Sequence, residues 1–321
     1  MRNRLSSVTL TPRQFQLAAL FALGALTLIV FSGAAVRLTG SGLGCPDWPR
    51  CYGHVYPPLQ THSLIEFSNR VVGALVGVVT VVVVVGAWRR RPFRRDLALL
   101  ALTLPLGVAA QAVLGGYTVE EKLAPGFVMA HFALSMVILV AAVTLAWRAR
   151  APDGRMPIYN ADRRAVWAVR ALVPFGAVVL IAGTAATAAG PHSGGAVGQT
   201  IKRLRFDGAD TLNLMIHIHG GLAFAFGLAA VAVWVVLERR RADARLRRAM
   251  TFLCVLIALQ GVIGTVQYET HLPGELVWFH VACATLTWLC VLWSVAAAGR
   301  LEPRTVGNSA QIRASMASHG S

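Results

Sequence analysis

The residues most able to do chemistry stand inside apolar stretches. Ile65-Glu66-Phe67-Ser68-Asn69-Arg70-Val71-Val72 carries a carboxylate, an amide and a guanidinium; His131, His217, His219 and His280 interrupt other such stretches. Glu66, Asn69 and Arg70 are spaced i, i+3 and i+4, so they share one helix face. One reading is a self-satisfied ion pair with Arg70 reaching outward to lipid headgroups. The other is the wall of a reaction pocket, in which Glu66 handles a proton or a developing positive charge. Ionisable groups among apolar helices are costly, so each asks for a partner or a function.

The elements that must position these residues are membrane spans. Of 321 residues, 56% are hydrophobic and 14% charged, far from ordinary globular usage. Eight apolar runs, about 15–36, 63–87, 97–117, 126–147, 168–189, 212–236, 249–268 and 275–298, each approach the roughly 20 residues a spanning helix needs. The first run is read as a mature helix and not a signal peptide. The expected fold is all-α: a polytopic membrane protein of eight transmembrane helices arranged as two repeated four-helix bundles. The bundles take residues 15–147 and 168–298. Around them lie an N-terminus (1–14), a linker (148–167) and a tail (299–321) expected to be disordered.

A net charge of +16 could suggest nucleic acid, but its distribution excludes that partner in favour of membrane lipid. Of 30 Lys and Arg, 23 lie at the N-terminus, in 88–95, 148–170 and 238–248, and after 299. Cytoplasmic loops collect such residues. Both termini are therefore expected in the cytoplasm and loops 37–62, 118–125, 190–211 and 269–274 outside, in a multi-pass protein of the cell membrane. The basic runs RRRPFRR and RRRADARLRR are inner anchors suited to anionic lipid. Cys45 and Cys51 lie in the first outer loop, where a disulfide is expected; a Cys–Cys–His metal site with His54 is the alternative. Cys254, Cys283 and Cys290 read as packing residues.

The two halves also resemble each other. At a shift of 150, Gly33 falls on Gly183, Gly40 on Gly190 and Asn69 on His219; at 149, Gln111 falls on Gln260, Gly115 on Gly264 and His131 on His280. Asn69, His131, His219 and His280 then share one depth, about 8–10 Å below the outer surface at 1.5 Å per residue. They form two pairs, 69 with 131 and 219 with 280. Two imidazoles facing each other in a four-helix bundle are what a six-coordinate heme requires. The bland alternative is a neutral imidazole hydrogen-bonded between helices. Gly73, Gly77, Gly220, Gly221 and Gly227 either admit a ring or pack helices. His217 points to another face of its helix than His219, and the repeat favours His219. In the first half a carboxamide is a poor iron ligand, so a heme held by His131 would be open on its other face, near Glu66 and Arg70. His54, His192, His271 and His319 belong to loops and tail.

The run VRLTGSGLGCPDWPRCYG (36–53), followed by Glu66-Phe67-Ser68-Asn69-Arg70, resembles the signature of the heme A synthase family. The resemblance extends over about 15–298. It implies oxidation of a ring methyl of heme O to a formyl group by successive hydroxylations, giving heme A for cytochrome oxidase. It implies a resident heme b with axial ligands His219 and His280, and a substrate heme pocket containing His131, Asn69, Arg70 and His62, with Glu66 catalytic. The metal in each site is heme iron, reached by His131, His219 and His280. An electron donor, unnamed by the sequence, is required, and heme O synthase is a candidate supplier of substrate. Two departures stand out: Asn69 replaces the histidine of the family's Glu-x-x-His-Arg run, and the loop 190–211 lacks the second cysteine pair of some members. The rival functions are a bis-histidine diheme cytochrome b passing electrons from quinol, a heme exporter, and a structural respiratory subunit.

Overall fold

A computed structural model of the chain describes residues 9–151, 159–160, 162–196 and 198–301. Residues 152–158 and 161 of the linker and 302–321 of the tail lie outside the described residues. Eight helices appear where apolar runs were expected: α1 (Pro12–Leu38), α2 (Thr61–Arg89), α3 (Arg95–Glu120), α4 (Pro125–Ala149), α5 (Arg163–Ala189), α6 (Thr211–Arg239), α7 (Ala244–Glu269) and α8 (Gly274–Ala298). All eight are long and apolar enough to cross a membrane. Each runs a few residues past its apolar stretch because capping and turn residues, not hydropathy, set the ends.

Those ends are chemically legible. Thr11 caps α1 in a reciprocal box with Gln14, and Pro12 opens the helix, where its missing N–H costs nothing. Asp162, Asp210 and Asp243 cap α5, α6 and α7 by accepting from the N–H groups of Ala165, Asn213 and Arg245. The α3–α4 and α7–α8 turns close alike. Lys122 and Leu123 in one, His271 and Leu272 in the other, adopt positive φ, and Leu123 N–H and Leu272 N–H reach back to Thr118 and Gln267 carbonyls. These are the turns that the alignment of the halves superimposes.

Helices α1 to α4 pack in a ring, each against the next and α4 against α1; α5 to α8 do the same, with α8 against α5. The rings meet where α8 touches α1 and α4, and where α4 touches α5. Phe15, Leu97, Leu104 and Leu145 lie in one core, Val166, Leu237, Leu246 and Leu253 in the other. Large apolar side chains such as Val78, Val82, Phe224 and Phe252 face outward, as a hydrocarbon solvent permits. Two indoles cross the junction. Trp278 donates to the Phe31 carbonyl at 3.0 Å and Trp288 to the Met136 carbonyl at 3.1 Å. One feature was not foreseen: Tyr159–Asn160 (β1) pairs in parallel with Arg300–Leu301 (β2). Two-residue strands carry no periodicity by which to be read.

Trp288 is 6% exposed and packs within the first core although it belongs to α8. Trp288→Ala should cost about 3–5 kcal/mol through the cavity it leaves, read as a loss of thermal stability in detergent micelles. Trp288→Phe should recover much of the packing while losing the indole hydrogen bond.

Candidate functional site

The first outer loop is folded down onto the start of α2. Cys45 and Cys51 form a disulfide, which removes the Cys–Cys–His alternative. Gly44 sits so close to α2 that a Cβ there would lie 2.3 Å from the His62 carbonyl oxygen; no other residue fits. Ser63 Oγ donates to the Gly44 carbonyl at 2.5 Å. Asp47 accepts from the N–H groups of Tyr52 and Gly53 at 2.6 and 2.8 Å, and the Gly53 N–H foremost holds its carboxyl below the usual carboxylate range.

This loop clamps Glu66, which is 5% exposed. Its Oε2 accepts from the Cys45 N–H at 2.7 Å and its Oε1 from the Arg70 guanidinium at 2.6 Å. Arg70 does not reach outward to the surface. It also donates to the carbonyls of Asp47, Arg50 and Cys45 at 2.9, 2.8 and 3.2 Å. The fork of one guanidinium thus joins helix, loop and carboxylate.

Asn69 is otherwise engaged. Its Oδ1, the atom a metal would need, accepts from Ser32 Oγ of α1 at 2.7 Å. His62 is exposed and sets Nδ1 3.0 Å from Ser41 Oγ in the loop. His131 lies against α3, where a Cβ on Gly115 would come within 3.3 Å of its Cε1. Gln111 Nε2 donates to the His131 carbonyl and to Ser135 Oγ at 2.9 and 2.6 Å. His131 Nδ1 itself is buried without a hydrogen-bond partner.

In the second half the two expected histidines face each other. The His219 and His280 ring centres are 6.2 Å apart and the planes 79° from parallel. His219 sets Nδ1 3.1 Å from the Val179 carbonyl, which leaves Nε2 free to bind. A Cβ on Gly183 would lie 2.9 Å from His219 Cε1, and one on Gly264 3.2 Å from His280 Cε1. His280 Nδ1 is buried and unpartnered. With metal–nitrogen bonds of about 2 Å and about 1 Å from nitrogen to ring centre, two imidazoles sharing a metal have centres roughly 6 Å apart. Donor type, spacing and burial therefore fit a metal between two rings. Among the described residues no group of three or more His, Cys, Asp and Glu converges on a bare ion. Two donors alone suit a metal already held in its own plane, as in a heme. His217 is exposed and sets Nδ1 2.8 Å from the Asn213 carbonyl of its own helix.

Several contributors escaped the sequence. Ser32 and Ser41 are ordinary residues until the fold brings them to Asn69 and His62. Gly115, Gly183 and Gly264 touch the imidazoles of His131, His219 and His280. By contrast, Gly73, Gly220 and Gly221 have open space where a Cβ would stand, Gly77 meets Val108 at ordinary distance, and Gly227 meets Ile257. The alignment of the halves contained the missing signal: Gly115 falls on Gly264, and Gly183 lies one helix before His219 in the order α5–α6.

Comparison with known proteins decides the family. The profile of the COX15-CtaA family, described as cytochrome oxidase assembly protein, matches residues 16–64 and 59–292. The chain belongs to this family. Relatives of the chain include a heme A synthase of Alkalihalophilus pseudofirmus, 32% identical over 120 residues, or 37% of this chain and 40% of the relative. One from Lysinibacillus sphaericus is 31% identical over 141 residues, 43% of each chain. A protoheme IX farnesyltransferase of Thermus thermophilus is 28% identical over 303 residues, 90% of this chain and 49% of the relative. The chain thus spans between two-fifths and half the length of these curated relatives.

Arg70→Ala should leave a buried carboxylate and three carbonyls without their donor. The expected loss is about 3–5 kcal/mol, seen as a lower melting temperature and faster proteolysis of loop 39–60. Arg70→Lys should recover only part, because one ammonium cannot reproduce four divergent bonds.

Proposed function

We propose that this member of the cytochrome oxidase assembly family is a heme A synthase, oxidising a ring methyl of heme O to a formyl group by successive hydroxylations. The observation that carries the reading is the asymmetry of the two halves. One has two facing imidazoles. The other has a single candidate ligand, His131, and a buried carboxylate held by a disulfide-closed loop. The names of the Alkalihalophilus and Lysinibacillus relatives support it. The halves are read as a duplicated four-helix unit, with residues 15–147 taking substrate and 168–298 a resident cofactor.

His219 and His280 would hold a heme b, which supplies one-electron chemistry when bound. Gly183 and Gly264 keep the two rings in place. In the substrate half, His131 would bind the heme O iron from one side. Asn69, its Oδ1 taken by Ser32, leaves the other side without a protein ligand. His62 and Arg70 border this half from the loop side. Glu66 is positioned by Arg70 and the Cys45 N–H, so its carboxyl oxygens are held in one place. At Oε1 or Oε2 it can accept a proton or steady positive charge near the reacting methyl. The basic ends support a reading as a cell-membrane protein with both termini in the cytoplasm and the heme sites toward the outer face. An electron donor is required. Heme O synthase is the candidate supplier of substrate, in keeping with the farnesyltransferase name of the Thermus relative. Farnesyl transfer would ask for clustered carboxylates to hold a diphosphate-bound metal, and among the described residues no group of three or more His, Cys, Asp and Glu could hold one.

The rival is a diheme cytochrome b that transfers electrons from quinol. It calls for four axial histidines, and the Asn69 amide bonded to Ser32 supplies none. The test is heme extraction from a host that makes heme O but not heme A. Heme A or its hydroxylated precursor should appear only when this chain is expressed. Glu66→Gln should lower that yield by about 10²–10⁴-fold while leaving bound heme b unchanged in the reduced-minus-oxidised spectrum. His280→Ala should abolish the spectrum. Unchanged heme O beside a b-type spectrum, with donor supplied, would mean an electron-transfer cytochrome.

A further inference from the structure

At the end of the molecule opposite the histidines, a cleft of about 540 Å³ opens over the last turns of α8, flanked by the C-terminus of α4 and the start of α7. Its walls carry Arg150, Arg245 and Arg248 above Trp147, Trp293 and Phe252. Arg150 lies over both indoles, 5.1 Å from the Trp147 centre and 5.3 Å from that of Trp293. The indoles are themselves edge to face at 5.0 Å. The guanidinium is therefore held in place by ring contacts rather than by a counter-ion.

The charge at this end is unbalanced in a particular way. Its described carboxylates are already committed: Asp96 to Arg94, Asp162 to Arg240, and Glu238 to Arg247, while Asp243 caps α7. Among the described residues no carboxylate pairs with Arg150, Arg245 or Arg248. Three like charges around one cleft repel each other, and a bound anion relieves that. Guanidinium forks match phosphate oxygens in pairs. Below them, Phe252 is 66% exposed and offers an apolar wall that a soluble anion would not use.

We propose that this cleft binds one anionic phospholipid, its phosphodiester among Arg150, Arg245 and Arg248 and an acyl chain along Phe252. The combination of three unpaired forks with an exposed aromatic wall favours a lipid over free phosphate. The site shares no residue with the proposed heme chemistry and stands or falls independently of it.

The test uses the full-length protein in detergent, with phosphatidylglycerol, phosphatidylcholine and inorganic phosphate as probes, read by native mass spectrometry and thermal unfolding. Phosphatidylglycerol should be retained and should raise the melting temperature; phosphatidylcholine and phosphate should do neither. The double variant Arg245→Gln/Arg248→Gln should lose about tenfold or more in phosphatidylglycerol affinity. Arg150→Gln, on a different helix, should lose a similar amount, which guards against a local folding defect of α7. Arg95→Gln, also at the basic end but outside the cleft, should bind as the parent does. Equal retention of phosphatidylcholine, or undiminished binding by both cleft variants, overturns the proposal. So does a shift reproduced by inorganic phosphate alone, which would make this a free-anion site. An equal loss in Arg95→Gln would reduce it to diffuse surface charge.

Discussion

A carboxylate buried in an apolar helix is tolerable only when donors surround it, and Glu66 fixes much of the architecture around that need. Its two oxygens require the Cys45 N–H and the Arg70 fork. Those require the loop to lie against α2, which in turn requires glycine at position 44 and a hydroxyl at Ser63. The disulfide closes the loop segment 45–51 that presents the N–H. Arg70 cannot serve both this clamp and the lipid headgroups, and the geometry resolves the choice in favour of the clamp.

The second half solves a related problem by different means. Neutral imidazoles need less compensation than a carboxylate, and His219 finds a carbonyl for Nδ1 while His280 does not. Close glycines help set where the rings stand. Gly115 and Gly264 do this for His131 and His280, and Gly183 for His219. Gly33, the counterpart of Gly183, has nothing near its absent Cβ, consistent with a shorter side chain at Asn69. Buried oxygens on Gln111 and Gln260, also counterparts, both lack a donor. The halves therefore differ in the side chains offered while keeping similar spaces for them.

The eight helices were legible because a 20-residue apolar run has few other uses, and the His219–His280 pair because imidazoles are rare in such runs. The disulfide was legible from compartment and spacing. What was not legible depended on contact across helices. Nothing in the sequence around Ser32 says that its hydroxyl will meet Asn69. Glycines were recognised as a class, but those nearest the histidines in sequence, Gly220 and Gly221, proved to face open space. The useful ones lie on the neighbouring helix, where only a packing register can place them. The β1–β2 pair was too short to leave a pattern.

The two indole bonds across the junction have a mechanical meaning. Trp278 and Trp288 are ten positions apart on α8, about 15 Å along its axis. One holds α1 and the other α4, at different depths. A hinge can turn about a single bolt, but two bolts at separate heights remove that freedom. Arg37 adds a third tie, from the end of α1 to the carbonyls of Thr187 and His192. Rocking one half against the other, as alternating access demands, would have to break all of these together. These ties at separate heights oppose relative motion of the two halves.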